Sequence, residues 1–363
     1  MDNVSRYGYI NAKLRARIGA ILSSSLLESM IKAPRLPDAV SLLSGTQYDC
    51  LSEVFRRTGD LQQVELEIFS REIKIQRDII RALSGSPADF VTTLLEKSEI
   101  ENIKNAIRLW YSAKVLNHSM SYRASYIYRD RIVNDIDWTR IINALTWDEI
   151  ASAFRDSVYA PVFQTHGGEE IQNNGLFSFE IGLDHLWFER VYAGLAHLSR
   201  ADREVATRIY DVDVDLKNIL NLIRYGFYHK APSATVEGIF IPHGSLYALL
   251  EKKMRSSQLS FADARQVVSR KYPEVGAMMM DMESKDEMGG KASGLAYDTL
   301  AIENYLARHR RRSYRRILSL DPFTIGTILS YIHLCTSTDN TIKGILEAKY
   351  YGWDEERIRR ELN

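Results

Sequence analysis

Cysteine is almost missing from this chain. Cys50 and Cys335 are its only two, they stand far apart, and neither falls in a pattern that holds a metal. No disulfide is expected, and free thiols suit a reducing cytosol. Proline is sparse as well: Pro34, Pro37, Pro87, Pro161, Pro232, Pro242, Pro273 and Pro322 fall almost all between periodic segments, where a missing N–H breaks no helical ladder. No apolar run reaches the ~18 uninterrupted residues of a membrane span. The opening MDNVSRYGYINAKLRAR carries an early acid and lacks the apolar core of a secretory signal. The expectation is a chain that neither crosses a membrane nor leaves the cell. Net charge is absent too, since 47 Lys and Arg balance 47 Asp and Glu. With no long-range field to draw in nucleic acid or anionic membrane, any charged partner must be met by a local patch.

What is present is helical patterning on a globular balance of 45% hydrophobic and 26% charged residues. Between 61 and 83, Leu61, Val64, Ile68, Ile73, Ile79 and Leu83 keep to one side at helical spacing. Strand alternation is scarce, so the fold class is all-α. The chain also resembles itself. EIENIKNAIRLWY, VDVDLKNILNLIRY and STDNTIKGILEAKYY align through Lys104, Lys217 and Lys343, bringing together Asn105, Asn218 and Gly344. Glu67 and Glu180 each precede their lysine by 37 residues, and Glu303 precedes Lys343 by 40. The spacing predicts one two-helix arrangement used three times, with Asn105 and Asn218 tying one helix to the next. A hydroxyl near an aromatic is expected to open an earlier helix in each unit: Thr46 with Tyr48, Thr146 with Trp147, Ser260 with Phe261. The stretches THGGEEIQNNG and MMMDMESKDEMGGKASG read as loops.

Chemical motifs are thin. GGKAS is no phosphate-binding loop, because Lys285 and Ala292 stand where that loop needs a glycine and a hydroxyl. His185 and Glu189 share a helix face but lack a third ligand, and His166 with Glu169 and Glu170 is interrupted by glycine. No catalytic residue, metal site or cofactor site is assigned. RHRRRSYRR places Arg308, Arg311 and Arg315 at helical spacing. It reads either as a solvated helix face or as a dock for acidic groups or lipid phosphates. RNA is a third option, with no RNP, KH or zinc signature beside it. Tyr9, Asn11, Arg15 and Arg17 read equally as partner contacts or as internal packing.

YGYINAKLRAR, DVDVDLKNILNLIRY and DPFTIGTILSYIHLCTSTDNTIKGILEAKYYGWDEERIRREL together resemble the family of the C subunit of V-type and A-type ATP synthases, related to the eukaryotic V-ATPase d subunit. Tyr7, Tyr9, Asn11, Lys13, Arg15 and Arg17 carry the opening block, and Pro322, Phe323, Gly326, Tyr331, Lys349 and Gly352 the closing one. FIPHGSL is similar to a family turn with two glycines, His243 replacing one of them. The resemblance implies three related helical domains (1–122, 123–234 and 235–363) with pseudo-threefold symmetry, forming a funnel. It further implies a non-catalytic rotor subunit at the cytoplasmic face of a membrane, with the central shaft subunits and the membrane rotor ring as partners. Neither cofactor nor nucleic acid is expected. Tyr9, Asn11, Arg15, Arg17, Arg308, Arg311 and Arg315 are the candidate partner contacts. The alternative is a helical-repeat adaptor that binds RNA or phospholipid through the arginine cluster.

Overall fold

The computed structural model of the chain describes residues 3–21, 23–118, 126–255, 259–287 and 292–362. Among these there are helices and turns but no strand. In chain order the α-helices are α1 (Asn3–Gly19), α2 (Ser24–Lys32), α3 (Leu36–Ser41), α4 (Asp49–Thr58), α5 (Leu61–Arg81), α6 (Ser86–Lys114), α7 (Trp138–Asn143), α8 (Trp147–Ala153), α9 (Ala160–Thr165) and α10 (Gly168–Asn174). They continue as α11 (Phe177–His197), α12 (Arg200–Asn221), α13 (Ser233–Ile239), α14 (Gly244–Met254), α15 (Phe261–Lys271), α16 (Pro273–Glu287), α17 (Ala292–Leu318), α18 (Gly326–Tyr350) and α19 (Glu355–Leu362). A π-helical turn, Leu222–Tyr228, prolongs α12.

Four of the eight prolines open helices rather than merely separating them. Pro37, Pro87, Pro161 and Pro273 sit in the first turns of α3, α6, α9 and α16, where no N–H partner is lost. Asp60 caps α5 by accepting the Gln62 N–H at 2.9 Å. The apolar stripe expected on α5 is buried at Leu61, Val64, Ile68, Ile73 and Ile79.

The chain forms two compact units, one of Met1–Leu198 with Tyr331–Arg359 and one of Ser199–Ser330 with Arg360–Asn363. In the first, Met30, Leu43, Tyr48, Leu51 and Val64 close a core together with Ile342, Ile345, Leu346 and Ile358 from the far end of the sequence. Also in this unit, α6 and α11 are laced by ion pairs: Arg190 to Glu96 at 2.6 Å, Lys104 to Asp184 at 2.5 Å and Arg108 to Glu180 at 2.6 Å. The second unit packs α12, the π-turn and α14–α17 around Ile219, Ile223, Leu246, Val268, Met279, Met282 and Ile302.

Two stretches read as loops are largely helical. Gly167 and Gly168 stand at the N-cap and first position of α10, where glycine costs little. The methionine-rich stretch continues α16, because Met279 and Met282 are fully buried and hold it on the core; residues 288–291 lie outside the described residues.

Two of the three expected copies recur, in a register three residues away from the lysine alignment. Helices α5 and α11 begin at 61 and 177 and end at 81 and 197, a constant offset of 116. The same offset relates Glu99 to Asp215 and Asn102 to Asn218. Asn218 clamps both the N–H and the carbonyl of Ile241, at 2.8 and 3.0 Å. Asn102 does the same to Tyr128, at 3.1 and 2.8 Å. Asn105, the partner expected for Asn218, is exposed. Thr146 and Ser260 do cap α8 and α15. Thr46 instead accepts the N–H of Tyr48 within a turn, and its counterpart is Ser157, which accepts the N–H of Tyr159.

Candidate functional site

Tyr48, Tyr159 and Tyr272 each stand immediately before a helix (α4, α9 and α16), and each buried ring brings its hydroxyl toward a carboxylate on one of the long helices α18, α6 and α12. Tyr159 donates to Glu99 at 2.8 Å; the same carboxylate accepts the N–H groups of Val133 and Asn134 at 2.9 and 2.8 Å. Tyr272 donates to Asp215 at 2.9 Å, and Asp215 also accepts the Leu246 N–H at 2.7 Å and the Ser245 hydroxyl at 2.9 Å. Lys271 adds a cation to Asp215 at 2.8 Å. Burial, reinforced by the carboxylate, pushes both phenols well above the ordinary tyrosine value. The turn feeding Asp215 depends on Gly244, whose φ is +81° and where a Cβ would lie 2.7 Å from the Asp215 oxygen. His243 is extended at φ −138°, so no second glycine is needed there.

The third node differs. Asp339 on α18 is held by Arg71 of α5 at 3.0 and 3.3 Å, and the Arg71 guanidinium lies 4.0 Å from the centre of the Tyr48 ring. Tyr48 is raised by burial and by the Asp339 charge, yet among the described residues its hydroxyl makes no hydrogen bond of ordinary geometry. Burial lifts Asp339 to about 6 against the pull of Arg71. Glu72 beside it is lifted to about 7, by burial first and by Asp339 second. These three nodes are the polar framework that sequence reasoning missed. The signal was available as a tyrosine recurring just before a helix, at 48, 159 and 272.

Of the amino-terminal candidates, Tyr9 is 74% exposed with Lys13 over its ring at 5.8 Å. Arg15 is exposed and Arg17 half-buried. Burial raises the Tyr331 phenol to about 12 against the opposing charge of Arg17. Asn11 faces inward with Tyr7, Ile10 and Leu14. On α17, Arg308, Arg311, Arg312, Arg315 and Arg316 are all exposed, while Ile302, Leu306, Tyr314 and Ile317 form the buried face. Tyr314 is anchored to Asp213 at 2.9 Å. Partial burial and then the like charges of Arg315, Arg310 and Arg308 lower the Arg311 pKa. α1 and α17 therefore each present outward cations, in the first and second unit respectively.

A cavity of about 550 Å³ in the first unit is bordered by Phe69, Asn102, Arg108, Tyr126, Leu176 and Lys343. Its cations already have internal partners, Arg108 in Glu180 and Lys343 in Glu65 at 3.3 Å. His166 meets Glu170 at 3.0 Å as an internal pair. Among the described residues no three His, Cys, Asp or Glu side chains converge as a metal site, and no helix is long and apolar enough to cross a membrane.

Helices cross-tied by buried polar nodes, with cationic faces turned outward, define a class: an all-helical protein with an internal repeat. The chain belongs to the ATP synthase (C/AC39) subunit family, whose model matches residues 10–361. It is similar to the C subunit of the A-type ATP synthase of Thermococcus onnurineus, at 24% identity over 366 residues, 97% of this chain and 89% of that protein. The A-type ATP synthase C subunit of Methanocaldococcus jannaschii is 22% identical over 366 residues, 99% of this chain and 87% of its own. That of Methanosarcina mazei is 21% identical over 305 residues, 84% and 77% of the two chains.

Proposed function

We propose that this chain is the non-catalytic central-stalk subunit of a rotary ATP synthase or ATPase. It couples the central shaft to the membrane rotor ring at the cytoplasmic face, for ATP-linked transport of protons or sodium ions. The family match across residues 10–361 carries the reading. In this role the chain transmits torque and turns over no nucleotide, needing no cofactor, metal or nucleic acid.

The physical requirement is stiffness. Packed helices with interiors near crystal density pass strain on with little loss, and the polar nodes resist sliding because any shift strands a buried carboxylate or backbone N–H. Three related domains, 1–122, 123–234 and 235–363, arranged as a funnel, complete the proposal. It is supported by the threefold recurrence of the tyrosine–carboxylate node. Tyr9, Arg15, Arg17, Arg308, Arg311 and Arg315 are the proposed contacts with shaft and ring, and Asn11 supports α1 from within.

Size-exclusion chromatography of the chain mixed separately with purified shaft subunits and with the detergent-solubilised ring tests this. Co-elution with both is expected. A folded chain that binds neither overturns the coupling role, and ATP hydrolysis by the pure chain, abolished by a point substitution, overturns its non-catalytic character.

A further inference from the structure

The exposed arginines of α17 are more than a solvated face. At 100° per residue, Arg308, Arg311, Arg312, Arg315 and Arg316 fall within one sector of the helix, opposite the buried Ile302, Leu306, Tyr314 and Ile317. From Arg308 to Arg315 the stripe runs about 10 Å at 1.5 Å per residue. The chain as a whole is neutral, so this density of cations is local. The depressed Arg311 guanidinium, with Arg315, Arg310 and Arg308 as its charged neighbours, marks a crowding of like charge that an anion relieves.

A second observation selects the anion. Immediately after the stripe the chain turns through Leu318, Ser319, Leu320, Asp321 and Pro322, with Leu320 40% exposed and Pro322 exposed too. Asp321 is the one acid in this turn, and it accepts the Phe323 N–H at 2.8 Å. A cationic stripe that ends in an exposed apolar tip matches the boundary between phosphate headgroups and acyl chains. Single-stranded RNA calls instead for exposed aromatic rings on which bases stack; Tyr305 and Tyr314 are half-buried and buried respectively.

We infer that the α17 arginine stripe and the Leu320 tip form a docking surface for an anionic phospholipid bilayer. The surface engages lipid phosphates directly, in addition to any contact with the ring. It rests on the rotor reading only in that such a subunit works beside a membrane.

The test is co-sedimentation of the full chain with vesicles of phosphatidylcholine alone, and of phosphatidylcholine with one-third phosphatidylglycerol. Binding is expected only to the anionic vesicles, weakening with salt. The triple variant Arg311→Gln/Arg312→Gln/Arg315→Gln is expected to lose roughly 100-fold in vesicle affinity, at about 1 kcal/mol per basic residue. Leu320→Ser is expected to lose several-fold. Both keep the parent circular dichroism and melting temperature, because all four positions are exposed. Failure of the parent to bind anionic vesicles at low salt overturns the inference, as does parent-like binding by the triple variant. Unchanged binding by Leu320→Ser, or equal affinity for an RNA oligonucleotide, overturns the lipid assignment in favour of a general polyanion surface. The vesicles hold no rotor subunit, so absent lipid binding alongside co-elution with shaft and ring sinks this inference alone. Lipid binding without co-elution sinks the rotor reading alone.

Discussion

Around Glu99 half the donors are backbone: two N–H groups from the segment after α6, joined by the Asn134 side-chain amide and the Tyr159 hydroxyl. Around Asp339 the main donor is a guanidinium brought from a helix 268 residues away in sequence, and the Tyr48 hydroxyl makes no hydrogen bond of ordinary geometry among the described residues. A carboxylate surrounded by fixed amides is satisfied by the fold itself and cannot be replaced without stranding them. One satisfied by a side chain is held by a partner that can be removed along with it. The first arrangement suits a connection made locally within the chain. The second suits a connection between its two ends, where no loop is at hand to supply amides.

The sharpest way to break this contrast is to remove each acid. Glu99→Ala leaves two backbone N–H groups, the Asn134 side-chain amide and a phenol without their acceptor, and we expect a loss of ~4 kcal/mol in urea denaturation. No second substitution in a side chain restores it. Asp339→Ala strands Arg71 and is expected to cost ~3 kcal/mol, but Asp339→Leu with Arg71→Met returns to within ~1 kcal/mol of the parent. A double variant no better than Asp339→Ala would falsify the distinction.

Titration sharpens the same contrast at a smaller scale. The folded-state values of Asp339 (about 6) and Glu72 (about 7) lie above those of the unfolded chain. Between the two the folded state binds more protons. The stability they contribute is full below the ordinary carboxylic range and is lost as pH rises through about 6 and then about 7. Across pH 4 to 7.5 we expect a fall on the order of 2 kcal/mol, measured by urea midpoints at each pH. Asp339→Asn and Glu72→Gln should each flatten part of that slope. A slope unchanged in both variants assigns it elsewhere.

The smallest effect is the most discriminating. Tyr159→Phe and Tyr272→Phe each delete a buried hydrogen bond to a carboxylate and should cost ~1.5 kcal/mol. Tyr48→Phe deletes a hydroxyl that has none and should fall within ~0.5 kcal/mol of the parent. Equal losses at all three positions would show that the third node bonds as the others do.

The helical class was legible because apolar spacing on α5 and the placement of prolines both act locally, and local geometry enforces them. The repeat was legible in outline but not in register. Lys217 and Lys343 lie where the surface tolerates them, whereas Glu99 with Asn102, and Asp215 with Asn218, are fixed by what they bind. A residue pair three apart on a helix whose partners lie 23 to 60 residues onward leaves no mark in a short window. The methionine stretch was misread because glycines nearby suggest a loop, while Met279 and Met282 obey the core. On α17 the spacing of Arg308, Arg311 and Arg315 did announce one outward face. On α1 the sequence left Asn11 open between partner contact and internal packing, because an amide serves either; it faces inward with Tyr7, Ile10 and Leu14.

One core in the first unit joins Met30, Tyr48 and Val64 to Ile342, Ile345, Leu346 and Ile358. During synthesis, therefore, the earliest residues emerge from the ribosome long before the latest ones that cover them. The second unit draws nearly all its residues from one unbroken stretch, Ser199–Ser330, and has no such wait. Domains generally fold as units during synthesis, the amino-terminal one first; here the middle of the chain is free to mature ahead of its beginning. Nascent chains halted before residue 339 lack that cover, which leaves the apolar faces of the amino-terminal helices in water until the residues from 342 onward emerge.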